Sequence, residues 1–159
     1  MSSTNSEDEY LTDAEIRAWG GALLFTTAVL RALDEALVAA HRISVKEFDV
    51  LITLFNAPGN RLGMSALAHQ AMLSPAGTTH LVTRLERDGL VKREVDPADR
   101  RKWFTVLTEE GDRALRAARL THNTVLRRTF LATTSAADRD VLTQLWQRLS
   151  STDSGTDQR

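Results

Sequence analysis

At Gly89 the hydrophobic period of this chain changes from that of a helix to that of a strand. Before it, Leu81, Val82 and Leu85 recur at helical spacing. After it, Leu90-Val91-Lys92-Arg93-Glu94-Val95 and Trp103-Phe104-Thr105-Val106-Leu107 read as two strands of period two. Between the strands lies Asp96-Pro97-Ala98-Asp99-Arg100-Arg101-Lys102, a polar turn dense in charge. The reading is a β-hairpin attached to the end of a helix, and the rest of the chain must be arranged around that junction.

Upstream, two short helices follow one another closely. The first covers Ser65 to about Met72, with Leu67, Ala68 and Ala71 inward. The second starts at Ser74, a good N-cap, with Pro75 at the first helical position, where a missing N–H does no harm. Gly89 ends it as a C′ glycine. Before this pair the spacing predicts a helix over Ser44 to Phe55, stopped by Ala57-Pro58-Gly59-Asn60, and a long one from Asp13 to about His41. Thr12 with Glu15, and Ser44 with Glu47, have the spacing of capping boxes. After the hairpin, Thr108-Glu109-Glu110-Gly111 starts another long helix, with Leu115, Ala118, Leu120, Val125, Leu126 and Phe130 available for burial. Ser135 caps a last helix holding Val141, Leu142, Leu145, Trp146 and Leu149. The first helix is longer than a lone small domain needs, and a second chain covering part of its apolar stripe explains the excess. Gly20 and Gly21 inside it would then permit close helix approach.

The expected class is therefore mostly α with a small β wing. Residues 12–149 form one domain, in which a lobe over 44–108 is flanked by dimerisation helices over 12–42 and 109–149. Residues 1–11 and 150–159 read as polar disordered tails, the first of them acidic. The formal net charge of −1 hides an uneven distribution. Residues 16–149 carry 19 basic and 14 acidic side chains, a net of +5, so the body is mildly basic. The chain has no cysteine, which removes disulfides, thiolate metal sites and thiol redox switches. No apolar run approaches the roughly 18 residues of a membrane span, and a cytoplasmic protein with no membrane partner is expected.

A short helix, a tight turn, a second helix and a charged hairpin make a winged helix-turn-helix, and the chemistry suits double-stranded DNA. The second helix offers phosphate its N-terminal amides and the positive end of its dipole. Small polar residues there (Ser74, Gly77, Thr78, Thr79, His80 and Thr83) allow close approach to base edges, and Arg84 reaches for flanking phosphates. Arg100, Arg101 and Lys102 at the hairpin tip suit a narrow minor groove, with Asp99 placed to orient Arg101. The plainer alternatives are a structural helix pair, capped by threonines, and a solvated basic loop. An enzyme is the rival of another class, but the chain shows no glycine-rich phosphate loop, no HExxH and no assembled Ser-His-Asp set. Its four histidines (His41, His69, His80, His122) lie on different elements, so no metal is assigned, and only a site built across a dimer stays open. A second rival is a protein-interaction module of the same fold that has lost specific DNA binding, which Arg84, Arg100 and Arg101 argue against.

The stretch Leu73 to Gly111, LSPAGTTHLVTRLERDGLVKREVDPADRRKWFTVLTEEG, resembles the DNA-binding core of the MarR family of bacterial and archaeal regulators. The likeness includes the RLERDGLV end of the recognition helix, the Asp99-x-Arg101 wing and the Leu107-Thr108-x-x-Gly111 start of the next helix. The resemblance implies a non-enzymatic homodimeric transcription regulator, commonly a repressor, whose outer helices intertwine. It places helix contacts on Ser74, Pro75, Gly77, Thr78, Thr79, His80 and Arg84, wing contacts on Arg100 and Arg101, and a phosphate contact on Ser65. Two-fold symmetry implies an inverted-repeat operator with half-sites roughly 10 bp apart.

The resemblance also implies no bound cofactor but a small effector, aromatic or phenolic, between the dimerisation helices and the lobe. Trp19, His41, Asp49 and His122 are the candidates for such a cleft. Each has a structural explanation as well: Trp19 as dimer core, His122 as an interhelical histidine, and Asp49 as a solvated or arginine-paired acid. A urate-binding subgroup is echoed by Trp19, Asp49 and Arg93, but Leu81 stands where one of its arginines is expected. The peroxide-sensing members need a cysteine, which this chain lacks.

Overall fold

The computed structural model describes residues 10–96 and 99–153. Helix α1 runs Asp13–His41 and starts on the Thr12 capping box, in which the Glu15 carboxylate accepts the Thr12 amide at 2.7 Å. Arg42 ends it in the left-handed conformation, at φ 58°. Helix α2, Val45–Asn56, starts on the matching Ser44–Glu47 box. Its Val45 amide also donates to Asp34 Oδ1 of α1 at 2.8 Å, so one carboxylate fixes the corner between the two helices.

A 3-10 turn at Pro58–Asn60 leads into β1, Arg61–Gly63, an element the sequence pattern does not announce. Three residues are too few for a period, and the strand exists because β3 pairs with it from 40 residues away: Arg61 opposite Val106, Gly63 opposite Phe104. Helix α3 follows at Met64–Gln70, one residue earlier at its start and two shorter at its end than expected. Met72 takes a left-handed φ of 52°, so the turn occupies Ala71 to Ser74 rather than Leu73 alone. Helix α4, Pro75–Arg87, closes with the amides of Gly89 and Leu90 bonded to the carbonyls of Glu86 and Leu85. Gly89 has φ 74°, which a side chain would oppose.

Strands β2 (Val91–Val95) and β3 (Trp103–Leu107) form the hairpin, giving an antiparallel sheet of order β1-β3-β2. Helix α5, Glu109–Leu126, continues through a π turn at Arg127–Leu131, and α6 spans Ala136–Asp153. The Ser135 hydroxyl accepts the Asp138 amide at 3.2 Å and starts α6, which runs four residues beyond the end at Leu149 that the sequence suggested. Residues 1–9 and 154–159 of the expected tails lie outside the described residues.

The core sits beneath the helix-turn-helix, where Leu37, Phe48, Leu51, Leu54, Leu67, Val82, Leu85, Val91, Leu107 and Leu115 are buried together. Each fully buried aliphatic or aromatic side chain contributes roughly 1.5–3 kcal/mol, so α2 and the inner face of α4 anchor the lobe. Outside it many of the large apolar residues are uncovered. Ile16, Trp19, Leu23 and Leu24 of α1, Leu120 of α5, and Val141, Leu142, Leu145, Trp146 and Leu149 of α6 are exposed. Leu120, expected to be available for burial, is 73% exposed. Among the described residues no helix is long and apolar enough to cross a membrane.

Candidate nucleic-acid interface

The first turn of α4 is electrostatically unlike those of the other long helices. Acids stand in the first turns of α1 (Asp13, Glu15), α2 (Glu47), α5 (Glu109, Glu110, Asp112) and α6 (Asp138). Among the described α-helices, α3 and α4, the two helices of the helix-turn-helix, have none. Elsewhere a carboxylate offsets the positive helix end; here no acid does. Ser74 caps α4 by accepting the Gly77 amide at 3.1 Å. Gly77 occupies the third helical position, where α1 and α2 carry glutamate, and a Cβ there would lie 3.0 Å from the Ser74 hydroxyl.

The exposed stripe of α4 comprises Pro75, Ala76, Thr79, His80, Thr83, Arg84 and Arg87. Thr78, expected to face outward, does not. It is fully buried with Val82 and Leu85, and its hydroxyl donates to the Ser74 carbonyl at 2.9 Å. The spacing explains the correction, because residues 78, 82 and 85 fall on one helical face. On the exposed side, Thr79 donates to the Pro75 carbonyl at 3.0 Å and Thr83 to that of Thr79 at 2.9 Å. Thr83 also accepts from Arg93 Nη2 at 3.0 Å, and Arg93 Nε lies 3.4 Å from Glu86. An arginine of β2 thus clamps the hairpin to the helix, a role the sequence does not reveal. His80 has no polar partner among the described residues, so both its ring nitrogens are uncommitted. Ser65 is exposed in the first turn of α3, where it lines a cleft of about 350 Å³ with His69, Pro75 and Thr79.

Arg84 is exposed, but not free. Its Nε lies 2.9 Å from Glu47 Oε1; 48% of the arginine side chain is exposed and only 2% of the glutamate's. At the hairpin tip Asp99 accepts the Arg101 amide at 3.1 Å, with its carboxylate 3.5 Å from Arg101 Nε and 3.8 Å from Lys102 Nζ. The Arg101 side chain is 94% exposed. Ion pairs this exposed contribute at most about 1 kcal/mol, so Asp99 orients the arginine without withholding it from a phosphate. Arg100 is exposed and has no ionic partner among the described residues.

Three of the four candidate effector residues meet where α1, α2 and α5 cross. His41 Nε2 lies 2.8 Å from Thr121 Oγ1, and the His122 ring stacks on Phe48 at 4.5 Å between centroids. Asp49 beside them has its pKa raised by burial, an effect that the His122 charge partly opposes. Trp19 is not with them: 22 residues up α1 from His41, it lies about 33 Å away at the helical rise. A cleft of about 510 Å³ between α1 and the end of α5 is lined by Ala32, Glu35, Ala36, Val125, Arg128 and Thr129, and by none of the four. Among the described residues no cluster of histidine and carboxylate side chains suits a metal ion.

A family model described as MarR family matches residues 43–103, from the residue before the α2 cap to the first residue of β3. The transcriptional regulator HosA of Escherichia coli O127:H6 is 32% identical over 106 residues, covering 67% of this chain and 76% of that protein. The chain belongs to the MarR family. MarR proteins are DNA-binding transcriptional regulators, not enzymes. The homoprotocatechuate degradative operon repressor of Escherichia coli is 32% identical over 92 residues, which cover 54% of this chain and 61% of that repressor. Sco3205 of Streptomyces coelicolor, a MarR regulator solved in complex with DNA, superposes with a TM-score of 0.84 at 28% identity, over 89% of each chain. The MarR match covers α4 and β2 but leaves out all of α1, α5 and α6, where the uncovered apolar residues lie.

Proposed function

We propose that the protein is a homodimeric repressor that reads an inverted-repeat operator in double-stranded DNA and is released by a small aromatic effector. Helix α4 would enter the major groove with Ser74, Pro75, Gly77, Thr79, His80, Thr83 and Arg84, and the hairpin would carry Arg100, Arg101 and Lys102 along the adjacent minor groove. Ser65 adds a phosphate contact from α3. The observation that carries this reading is the first turn of α4, capped by Ser74, free of acid and flanked by an uncommitted His80. The unmatched apolar faces of α1 and α6 support two-fold assembly, and repression follows the name of the homoprotocatechuate operon repressor. The effector would bind where α1, α2 and α5 meet and His41, Asp49 and His122 gather, touching both a long outer helix and the lobe.

Selection from random duplexes at two salt concentrations tests the reading. An enriched inverted repeat with half-sites roughly 10 bp apart is expected. Binding that vanishes with salt and enriches nothing would leave only a basic surface and end the proposal. On the recovered operator, His80→Ala is expected to cost about 1–3 kcal/mol and to relax the preference at one base pair per half-site. Equal losses on every sequence would remove His80 from base readout.

A further inference from the structure

We propose that Glu47 is a positioning residue for DNA recognition: its buried carboxylate holds Arg84 of α4 in the orientation from which the guanidinium meets the DNA backbone. The inference rests on the DNA-reading role proposed above and adds a residue that lies beneath the interface rather than on it.

The two oxygens of Glu47 do different work. Oε2 accepts the Ser44 amide at 2.8 Å and the Ser44 hydroxyl at 2.7 Å, completing the cap of α2. Oε1 is turned to Arg84 Nε at 2.9 Å, across 37 positions of sequence. Capping does not require the second interaction. Glu15 forms the same box with Thr12 at the start of α1 in the open, and no arginine attends it. Asp138 with Ser135 forms an exposed cap of the same kind at α6, where Arg139 is close enough to favour the charged carboxylate but makes no ion pair with it among the described residues. The Glu47 box differs in being buried, and a buried carboxylate that loses its cation is left with an uncompensated charge. Arg84 is therefore bound to stay on Glu47 when a ligand approaches.

The held arginine still faces outward. About half of its side chain is in solvent, and it stands one helical turn from His80 on the exposed stripe of α4. A free arginine must give up its rotamers to dock on a phosphate; one already fixed gives up less. The fixed frame extends further, because α2 is itself tied at Val45 to Asp34 of α1. Arg84 is thus held in register with the long outer helix as well as with the lobe.

The test uses the full chain and the operator recovered by selection, with dissociation constants measured across a salt series for operator and random duplex. Glu47→Gln keeps an acceptor for the Ser44 cap but removes the charge; Arg84→Lys keeps the charge at a half-exposed site but removes the planar group. Each is expected to weaken operator binding about tenfold, the scale of one side chain that must be ordered on docking. Each should leave the salt slope nearly unchanged, because the positive charge at position 84 is retained. Arg84→Ala lowers the slope by about one unit. In the Arg84→Ala background, Glu47→Gln has no further effect on the operator. An Arg84→Lys protein that binds like wild type, or Glu47 and Arg84 losses that simply add, overturns the positioning role while the DNA-reading function stands. A wild-type protein that selects no operator overturns both.

Discussion

Gly111→Ala is expected to destabilise the protein by about 2 kcal/mol or more, although alanine in a helix is ordinarily worth about 1 kcal/mol over glycine. A Cβ at this position would lie 2.0 Å from the Leu90 carbonyl oxygen and 2.8 Å from Leu107 Cδ1. Neither neighbour can yield cheaply. Leu90 O is backbone at the head of β2 and already accepts the Thr108 amide at 3.1 Å and the Thr108 hydroxyl at 3.0 Å. Thr108 in turn caps α5 through the Gly111 amide at 2.9 Å. One methyl group therefore pushes apart the start of α5, the end of β3 and the link from α4 to β2. Overpacking against side chains costs about 1–3 kcal/mol, and against backbone more. At roughly 2–4 °C per kcal/mol for a domain of this size, the midpoint of thermal unfolding should fall by about 4–10 °C. An unchanged midpoint would show that α5 can slide away from the sheet, and that the packing at this corner is looser than the distances state.

Much of the lobe was legible because its signals are local. Thr12 with Glu15, Ser44 with Glu47, and Ser74 with Pro75 start α1, α2 and α4 where capping chemistry says they should. Gly89 marks the junction through its positive φ. What stayed hidden depends on partners distant in sequence. β1 is made a strand by β3, and the ion pair of Arg84 with Glu47 joins α4 to a cap that reads as complete without it. The clamp of Arg93 on Thr83 and Glu86 likewise needs the hairpin folded back on α4 before it exists. Thr78 is different, since its spacing from Val82 and Leu85 already marks it as inward and only its polar side chain pointed the other way. The π turn at Arg127–Leu131 has no glycine or proline to announce it. The exposed stripe of α4 was therefore readable in outline, apart from Thr78, whereas the ties of Arg84 to Glu47 and of Arg93 to Thr83 were not.

Placing charge on α6 is expected to reduce operator affinity by about 10²–10⁴-fold without touching any residue of the DNA-facing stripe. Val141, Leu142, Leu145 and Leu149 repeat at helical spacing and are exposed, as are Ile16, Leu23 and Leu24 on α1. A soluble single chain does not ordinarily leave so long an apolar stripe in water, which is the physical case for a second copy covering it. If two lobes are joined there, each half-site is bound at the high effective concentration that the first contact creates. Cutting the joint leaves a single lobe on a single half-site. Leu142→Asp with Leu145→Asp puts two carboxylates into that joint, far in sequence from the core under α4. Light scattering should then report a monomer whose lobe still binds DNA weakly, with a smaller salt slope, because about half of the phosphate contacts are gone. A double variant that remains dimeric would move the interface to α1. A monomer that kept the full operator affinity would mean that one lobe suffices, and the two-fold reading of the operator would fall with it.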